Sequence, residues 1–220
     1  MRYKRWINFY QSRMVNLNAE YLFLIDDGSK KRNFDKRADI LNPDHLPDEL
    51  NNKTNIVHFH ENLGRLSIKD YPGWWRSFLY SYKIAQKYNF DKIIHIESDF
   101  FVLSDDLINY VSSIQSGWTT LFSQHFQLPE TALQIICKDF FDEMKDIVDQ
   151  ADKSNFHFPD LAENILPFTH IEKKFIGERV GEAQVYKAWK KNHKKPVKVD
   201  YLAQIKPYLS LNNYRSKFIF

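Results

Sequence analysis

The sequence predicts an α/β fold, a sheet with parallel strands flanked by helices, and three observations carry that prediction. Two short runs, Tyr21-Leu-Phe-Leu-Ile25 and Ile93-Ile-His-Ile96, are apolar with little polar alternation, the pattern of strands buried on both faces in the middle of a parallel sheet. Each run stops in an acidic cluster, Asp26-Asp27-Gly28-Ser29 after the first and Glu97-Ser98-Asp99 after the second. Between the clusters a further strand, a turn and an amphipathic helix lead into the second run, the order of a βαβ unit. Open sheets of this class bind ligands beyond the carboxyl ends of their strands. Both acidic clusters would stand there.

The elements follow in order. Tyr3, Trp6, Ile7, Tyr10 and Met14 recur at helical spacing, so an amphipathic helix is expected over about residues 3–15, leading into the first strand. After Ser29 a charged stretch to Arg37 and the Pro43/Pro47 segment read as loop with a short helix. A strand is expected at Asn55-Ile-Val-His-Phe-His60, then a turn at Glu61-Asn62-Leu63-Gly64-Arg65. The stretch from Trp74 to Tyr88, entered through Pro72-Gly73, repeats its apolar residues at three and four and reads as a long helix. Asn89-Phe90-Asp91 turns the chain into the second apolar strand.

Ser104-Asp105-Asp106-Leu107 should open a helix that reaches about Ser113, because Ser and Asp satisfy the free amides of a first turn. Trp118–Phe122 reads as a strand and Phe140–Val148 as an amphipathic helix, followed by a Pro- and aromatic-rich stretch from Phe156 to Pro167. A basic helix, Tyr186–Lys195, and a final strand near Val197–Ile205 complete the chain. No repeat, low-complexity tract or linker divides it, so residues 1–220 are expected to form a single domain.

Composition narrows the class. With 220 residues, 43% of them hydrophobic, the chain can build one generous core. The net charge of +3 does not by itself argue for nucleic acid. No apolar stretch approaches a membrane span and the first residues lack a signal peptide's apolar centre, so a cytoplasmic protein is expected. Cys137 is the single cysteine, can form no internal disulfide, and reads as a small core residue.

Four motifs in order, Ile25-Asp26-Asp27-Gly28-Ser29, Glu61-Asn62-Leu63-Gly64-Arg65, Ile96-Glu97-Ser98-Asp99 and Ser104-Asp105-Asp106-Leu107, with the long helix between the second and third, resemble the nucleotide-binding half of GT-A-fold glycosyltransferases. Bacterial members that build lipopolysaccharide or other surface polysaccharide are the nearest in style. The resemblance covers roughly residues 20–110 and rests on the order of motifs that are each short. It implies a Rossmann-like mixed sheet flanked by helices, with residues 1–110 as the nucleotide-binding half and 111–220 as the acceptor side. It also implies that Asp26 or Asp27, with Gly28, contacts the base and ribose of a nucleotide-sugar donor, and that Glu97 and Asp99 hold a divalent metal, Mn²⁺ or Mg²⁺. Glu97 departs from the family's first Asp by one methylene, and hard cations accept either carboxylate. A second departure is larger: family members carry a strand ahead of the first helix, so the sheet is expected to lack its usual first strand.

The residues have their own chemistry beside this likeness. Transfer from a nucleotide sugar must stabilise a leaving diphosphate, which a metal ion can do without moving a proton. Glu97 and Asp99 share a face if the strand persists between them; the alternative is a loop cap and a lysine partner. Asp26-Asp27-Gly28-Ser29 reads equally as a polar turn. Arg65 and Arg76 suit diphosphate oxygens, or else ordinary ion pairs. His58 and His60 share one face of a strand, a pair that could bind metal but, without a third ligand nearby, reads as structural; Trp74 and Trp75 read as core with one ring open to a sugar. For a catalytic base taking the acceptor proton, Glu163 is the first choice and Asp160 the second, against a reading in which Asp160 caps a helix and Glu163 faces solvent.

The basic run Lys187, Lys190, Lys191, Lys194, Lys195 and Lys198, with Trp189 and an aromatic terminus, reads as a solvated face or as an attraction to an anionic membrane surface, which would suit a lipid-linked acceptor. Nucleic acid is not expected, since no stacking platform interleaves the charges. Two rival readings remain: a nucleotide-sugar-binding remnant without turnover, and a phospho-accepting receiver-like signalling domain built on Asp26, Asp27, Asp99 and Lys206-Pro207. The segments between those residues are long for a receiver.

Overall fold

A computed structural model of the chain describes residues 2–30, 34, 37–179 and 199–204. Helix α1 (Arg2–Gln11) leads through a series of turns into β1 (Leu22–Asp26). It is shorter than its apolar spacing predicts, because the chain turns at Ser12 and Arg13 Nη1 bonds the Phe9 carbonyl at 3.0 Å. Strand β2 (Asp39–Leu41) stands where a loop with a short helix was expected. Ile40 and Leu41 are enough to pair it with β3 (Thr54–His58), and both β1 and β2 flank β3 in parallel.

Helix α2 (Pro72–Lys87) precedes β4 (Lys92–Ile96), and a turn links that strand to β5 (Phe101–Val102). Helix α3 (Asp105–Ser113) begins as its residues predict: Ser104 Oγ accepts the Leu107 amide at 3.2 Å. Then come β6 (Trp118–Ser123), β7 (Leu128–Cys137), a short 3₁₀ turn (Lys138–Phe140), α4 (Phe141–Ser154), α5 (Ala162–Ile165), β8 (His170–Glu172), β9 (Gly177–Arg179) and β10 (Tyr201–Ala203). The expected basic helix and the terminal aromatic stretch lie outside the described residues, as does Lys206-Pro207.

The strands form three sheets rather than one. Their orders are β1-β3-β2, all parallel; β4-β7-β6-β8, mixed; and a small β5-β10-β9. The fold is therefore α/β with parallel and mixed sheets flanked by helices, as predicted. The expected βαβ unit is corrected: β3, α2 and β4 exist, but β3 and β4 belong to different sheets.

Two helices hold those sheets side by side. On one face α2 places Trp75, Phe78 and Leu79 against Trp118, Ile136 and α4, and Tyr80 and Ile84 against Val57 and Leu41 of the other sheet. On the opposite face Trp6, Ile7 and Tyr10 of α1 share a core with Ile56, Leu133 and Ile135. Cys137 is buried and reaches the Ile114 carbonyl, as a core thiol.

Candidate active site

β1 and β4 run in the same direction. Their starts meet through the Tyr21 and Phe90 rings, with centroids 5.5 Å apart. Their ends flank the first turn of α2, where Gly73 approaches Asp27 and Trp74 bonds Glu97. Between the strands lies a cavity of about 1700 Å³, lined at its mouth by Asp26, Asp27, Arg65, Glu97, Asp99 and Glu163. The two acidic clusters and the acceptor-side glutamate thus share one cleft. Gly28, Arg76 and Asp160 are not among the residues that line it.

The first cluster is tightly organised. Asp26 Oδ2 lies 2.7 Å from His58 Nδ1 and accepts the Ser29 amide at 3.0 Å. Asp27 Oδ2 accepts the Leu63 and Gly64 amides at 3.1 and 2.9 Å, and Oδ1 is paired with Arg76. Asn62 donates to the Asp27 carbonyl, so the two predicted turn motifs, 26–29 and 61–65, are one interlocked structure. Glycine is required twice here. Gly28 has φ +70°, and a Cβ on it would meet the Glu61 carbonyl oxygen at 2.3 Å. A Cβ on Gly73 would come within 2.1 Å of Asp27 Oδ2.

The predicted arginines differ in position. Arg65 lines the cleft while its Nε and Nη2 bond the carbonyls of Ser67 and Ile68 at 2.8 and 3.0 Å. Arg76 is largely buried between Asp27, the Glu61 carbonyl and the Phe59 ring. His58 is buried against Asp26, whereas His60 is exposed beyond the end of β3, so the two histidines do not converge.

β4 ends at Ile96, and the Phe100 amide donates to the Glu97 carbonyl at 3.0 Å. The chain turns between Glu97 and Asp99 rather than continuing as a strand. Trp74 Nε1 donates to Glu97 Oε1 at 2.7 Å and fixes the carboxylate at the cleft wall. Among the described residues no group of three or more His, Cys, Asp or Glu converges to hold a metal. A hard cation such as Mg²⁺ is nevertheless commonly held by one or two carboxylates plus phosphate oxygens of its ligand. The donor set of Glu97 and Asp99 fits that chemistry.

A bulge in β7 builds the far wall. β6 pairs Thr120 with Gln134 and then Leu121 with Glu130, leaving residues 131–133 without partners in β6, although Leu133 still pairs with Ile96 of β4. Gln134 braces the loop, donating to the Thr131 carbonyl at 2.9 Å and accepting from Trp118 Nε1 at 2.9 Å. The loop sends Ala132's carbonyl to the Glu97 amide at 2.9 Å and Thr131 Oγ1 to Glu163 Oε1 at 3.3 Å. Tyr71 closes the site: its hydroxyl accepts the Ala162 amide at 2.7 Å. Burial raises the Tyr71 pKa, and the nearby Glu163 and Glu97 charges raise it further. Asp160 accepts the Leu161 amide at 2.8 Å and the Asn164 side chain at 3.0 Å, bonds that lower its pKa.

Sequence reasoning missed the bulge, the Tyr71 clasp and Glu130, which lines the cleft with 1% of its surface exposed. A signal for the bulge was present: the polar triplet Glu130-Thr131 and Gln134 interrupts an apolar strand. His95 sits within the apolar run of β4. Its ring packs on Phe78 with centroids 4.9 Å apart, and burial holds its pKa down to about 4, so it stays neutral near pH 7.

No known protein family matches the sequence. No curated protein matches it either. Among solved structures the chain is similar to a glycosyltransferase involved in the glycosylation of the major capsid of PBCV-1, with a TM-score of 0.42 and 13% identity over 77% of this chain and 94% of that one.

Proposed function

We propose that the chain is a glycosyltransferase that takes a sugar from a nucleotide-sugar donor and passes it to a glycan or lipid-linked acceptor. One observation carries this reading: two acidic clusters at the carboxyl ends of co-directional strands open into one cleft opposite a third carboxylate, Glu163. A cleft at strand ends is where α/β sheets bind nucleotides. Its size leaves room for a donor and an acceptor together.

In this reading the interlocked 26–29 and 61–65 turns receive the nucleoside, with Arg65 on the diphosphate side. Asp26, Asp27, Gly28 and Arg76 give those turns their shape. Glu97 and Asp99 would hold Mn²⁺ or Mg²⁺, which when bound offsets charge on the diphosphate oxygens. For an inverting transfer the acceptor oxygen attacks the anomeric carbon, the carbon's bond to the diphosphate breaks, and Glu163 takes the acceptor proton. Asp160, already engaged by two donors, serves α5 and would enter only in Glu163's place. Lipopolysaccharide or another bacterial surface polysaccharide is the product class that fits the four-motif likeness, with the enzyme working at the cytoplasmic face of a membrane.

A thermal-shift panel of nucleoside diphosphates and nucleotide sugars, with and without Mn²⁺, tests the proposal. A ligand at 100 times its Kd should add roughly 2.7 kcal/mol of apparent stability. A flat response across all donors would remove the transferase reading, and binding without sugar transfer would leave a silent nucleotide-sugar-binding protein.

A further inference from the structure

The turn before α2 holds a hydroxyl that the protein itself uses only in part. Tyr71 immediately precedes the helix, and its carbonyl accepts the Trp74 and Trp75 amides at 3.0 and 3.2 Å, so its backbone is fixed. Its ring is fixed as well. It lies nearly parallel to Trp75 with centroids 6.4 Å apart, meets Trp74 edge-on at 5.7 Å, and has the Arg65 guanidinium 5.7 Å from its centroid. The oxygen is held by the Ala162 amide at 2.7 Å. A phenol oxygen has two lone pairs and one proton. The amide occupies a lone pair, and none of the described residues accepts the proton. Tyr71 also spans two carboxylates: Ala162 is the neighbour of Glu163 in α5, and Trp74 donates to Glu97 Oε1 at 2.7 Å. Tyr71, Trp74, Glu97 and Glu163 all line the cleft. Burial keeps the phenol protonated near pH 7, and the Glu163 charge adds to that effect.

We propose, on the basis of the transferase reading above, that Tyr71 is a specificity-determining residue: it donates its proton to a hydroxyl of the sugar being transferred, and so selects a donor sugar that carries oxygen at that position. In that reading the diphosphate lies at Glu97 and Asp99 and the acceptor oxygen at Glu163. The sugar must then occupy the space between those carboxylates, which Tyr71 bridges. A neutral phenol suits a neutral hydroxyl oxygen, whereas the Arg65 guanidinium suits the charged diphosphate. Because the donor is fixed before anything binds, little ordering entropy opposes the bond. A sugar that lacks the oxygen leaves the phenol proton without a partner, the kind of mismatch by which a site discriminates most strongly.

Calorimetry on the full chain with Mn²⁺ tests this, with uridine and guanosine diphosphates and their glucose, galactose and mannose conjugates as probes. Tyr71→Phe keeps the ring and removes the hydroxyl. It should bind the nucleoside diphosphate as tightly as the unaltered chain does, and the nucleotide sugar on the order of tenfold more weakly, the worth of one neutral hydrogen bond. Loss of the Ala162 clasp also loosens α5, which would lower turnover through Glu163 without moving donor affinity. Lower turnover with nucleotide-sugar affinity unchanged would therefore make Tyr71 a structural clasp only and overturn the proposal. Equal weakening of nucleoside diphosphate and nucleotide sugar would overturn it too. A second measurement needs no variant. The unaltered chain should bind the conjugate of its preferred sugar about tenfold tighter than at least one monodeoxy analogue; equal affinity for every monodeoxy analogue overturns the proposal even where Tyr71→Phe does not fold. Failure of the transferase reading looks different, because the unaltered chain then binds no nucleoside diphosphate at all, and both readings fall together.

Discussion

Glu97 shows how one side chain acquires a role from its neighbours. It is held by Trp74 from above and by the Ala132 carbonyl at its own amide, so its carboxylate projects at the cleft wall beside Asp99. Asp99→Ala removes a carboxylate from a turn and no core volume, so donor binding should lose its Mn²⁺ dependence while the melting temperature holds; calorimetry of nucleotide binding with and without the ion checks both. Glu163→Gln keeps shape and removes basicity, so turnover should fall by ~10²–10⁴ with donor affinity unchanged. Near-normal turnover would move the base elsewhere. Gly73 is a purely steric case. Alanine there gains helix propensity of about 1 kcal/mol, but its Cβ meets the Asp27 carboxylate, so Gly73→Ala should lower stability by about 1–3 kcal/mol in a urea titration.

The elements that position these residues are α2 and the β7 bulge. α2 touches Asp27 with Gly73, Glu97 with Trp74 and α5 through the Tyr71 clasp just before its start. Its outer side is fastened to the loop after β2: Tyr80 and Tyr88 hydroxyls donate to the Pro43 and Pro47 carbonyls at 2.6 and 2.8 Å. Burial pushes the Tyr80 pKa up to about 12, with the Asp44 charge adding to the rise. A raised folded pKa means that the unfolded chain loses its proton first, near pH 10. This contribution is full below pH 10 and is lost as the pH climbs toward 12. Tyr80→Phe should therefore lose the hydrogen bond yet flatten the alkaline fall in stability, measured as denaturation midpoints between pH 9 and pH 12.

Among the described residues the two larger of the three sheets are clamped between α1 and α2, with the site where β1 and β4 end. No helix among the described residues is long and apolar enough to cross a membrane. Attraction to a membrane surface would rest on the basic run 187–198, outside the described residues. If that run serves a lipid-linked acceptor, the chain should bind vesicles containing anionic lipid and release them as salt rises, because exposed charges are screened within about 10 Å at 0.1 M. Sedimentation with anionic and neutral vesicles distinguishes this from a solvated face, for which the two would behave alike.

Local chemistry made much of this legible in the sequence. The apolar periods of α1, α2 and α4, the Ser104 cap and the apolar runs of β1 and β4 are all short-range patterns, and each produces the element it predicts. That the acidic clusters end their strands was readable for the same reason. What only the tertiary structure decided is partnership between distant residues. Asp26 finds His58, Asp27 finds Arg76 and the 63–64 amides, and Thr131 finds Glu163, each across more than thirty positions. Strand order escaped too, because an apolar run specifies that a strand is covered on both faces and says nothing about which strand lies beside it. β3, α2 and β4 read as one βαβ unit, and backbone pairing assigns the two strands to different sheets.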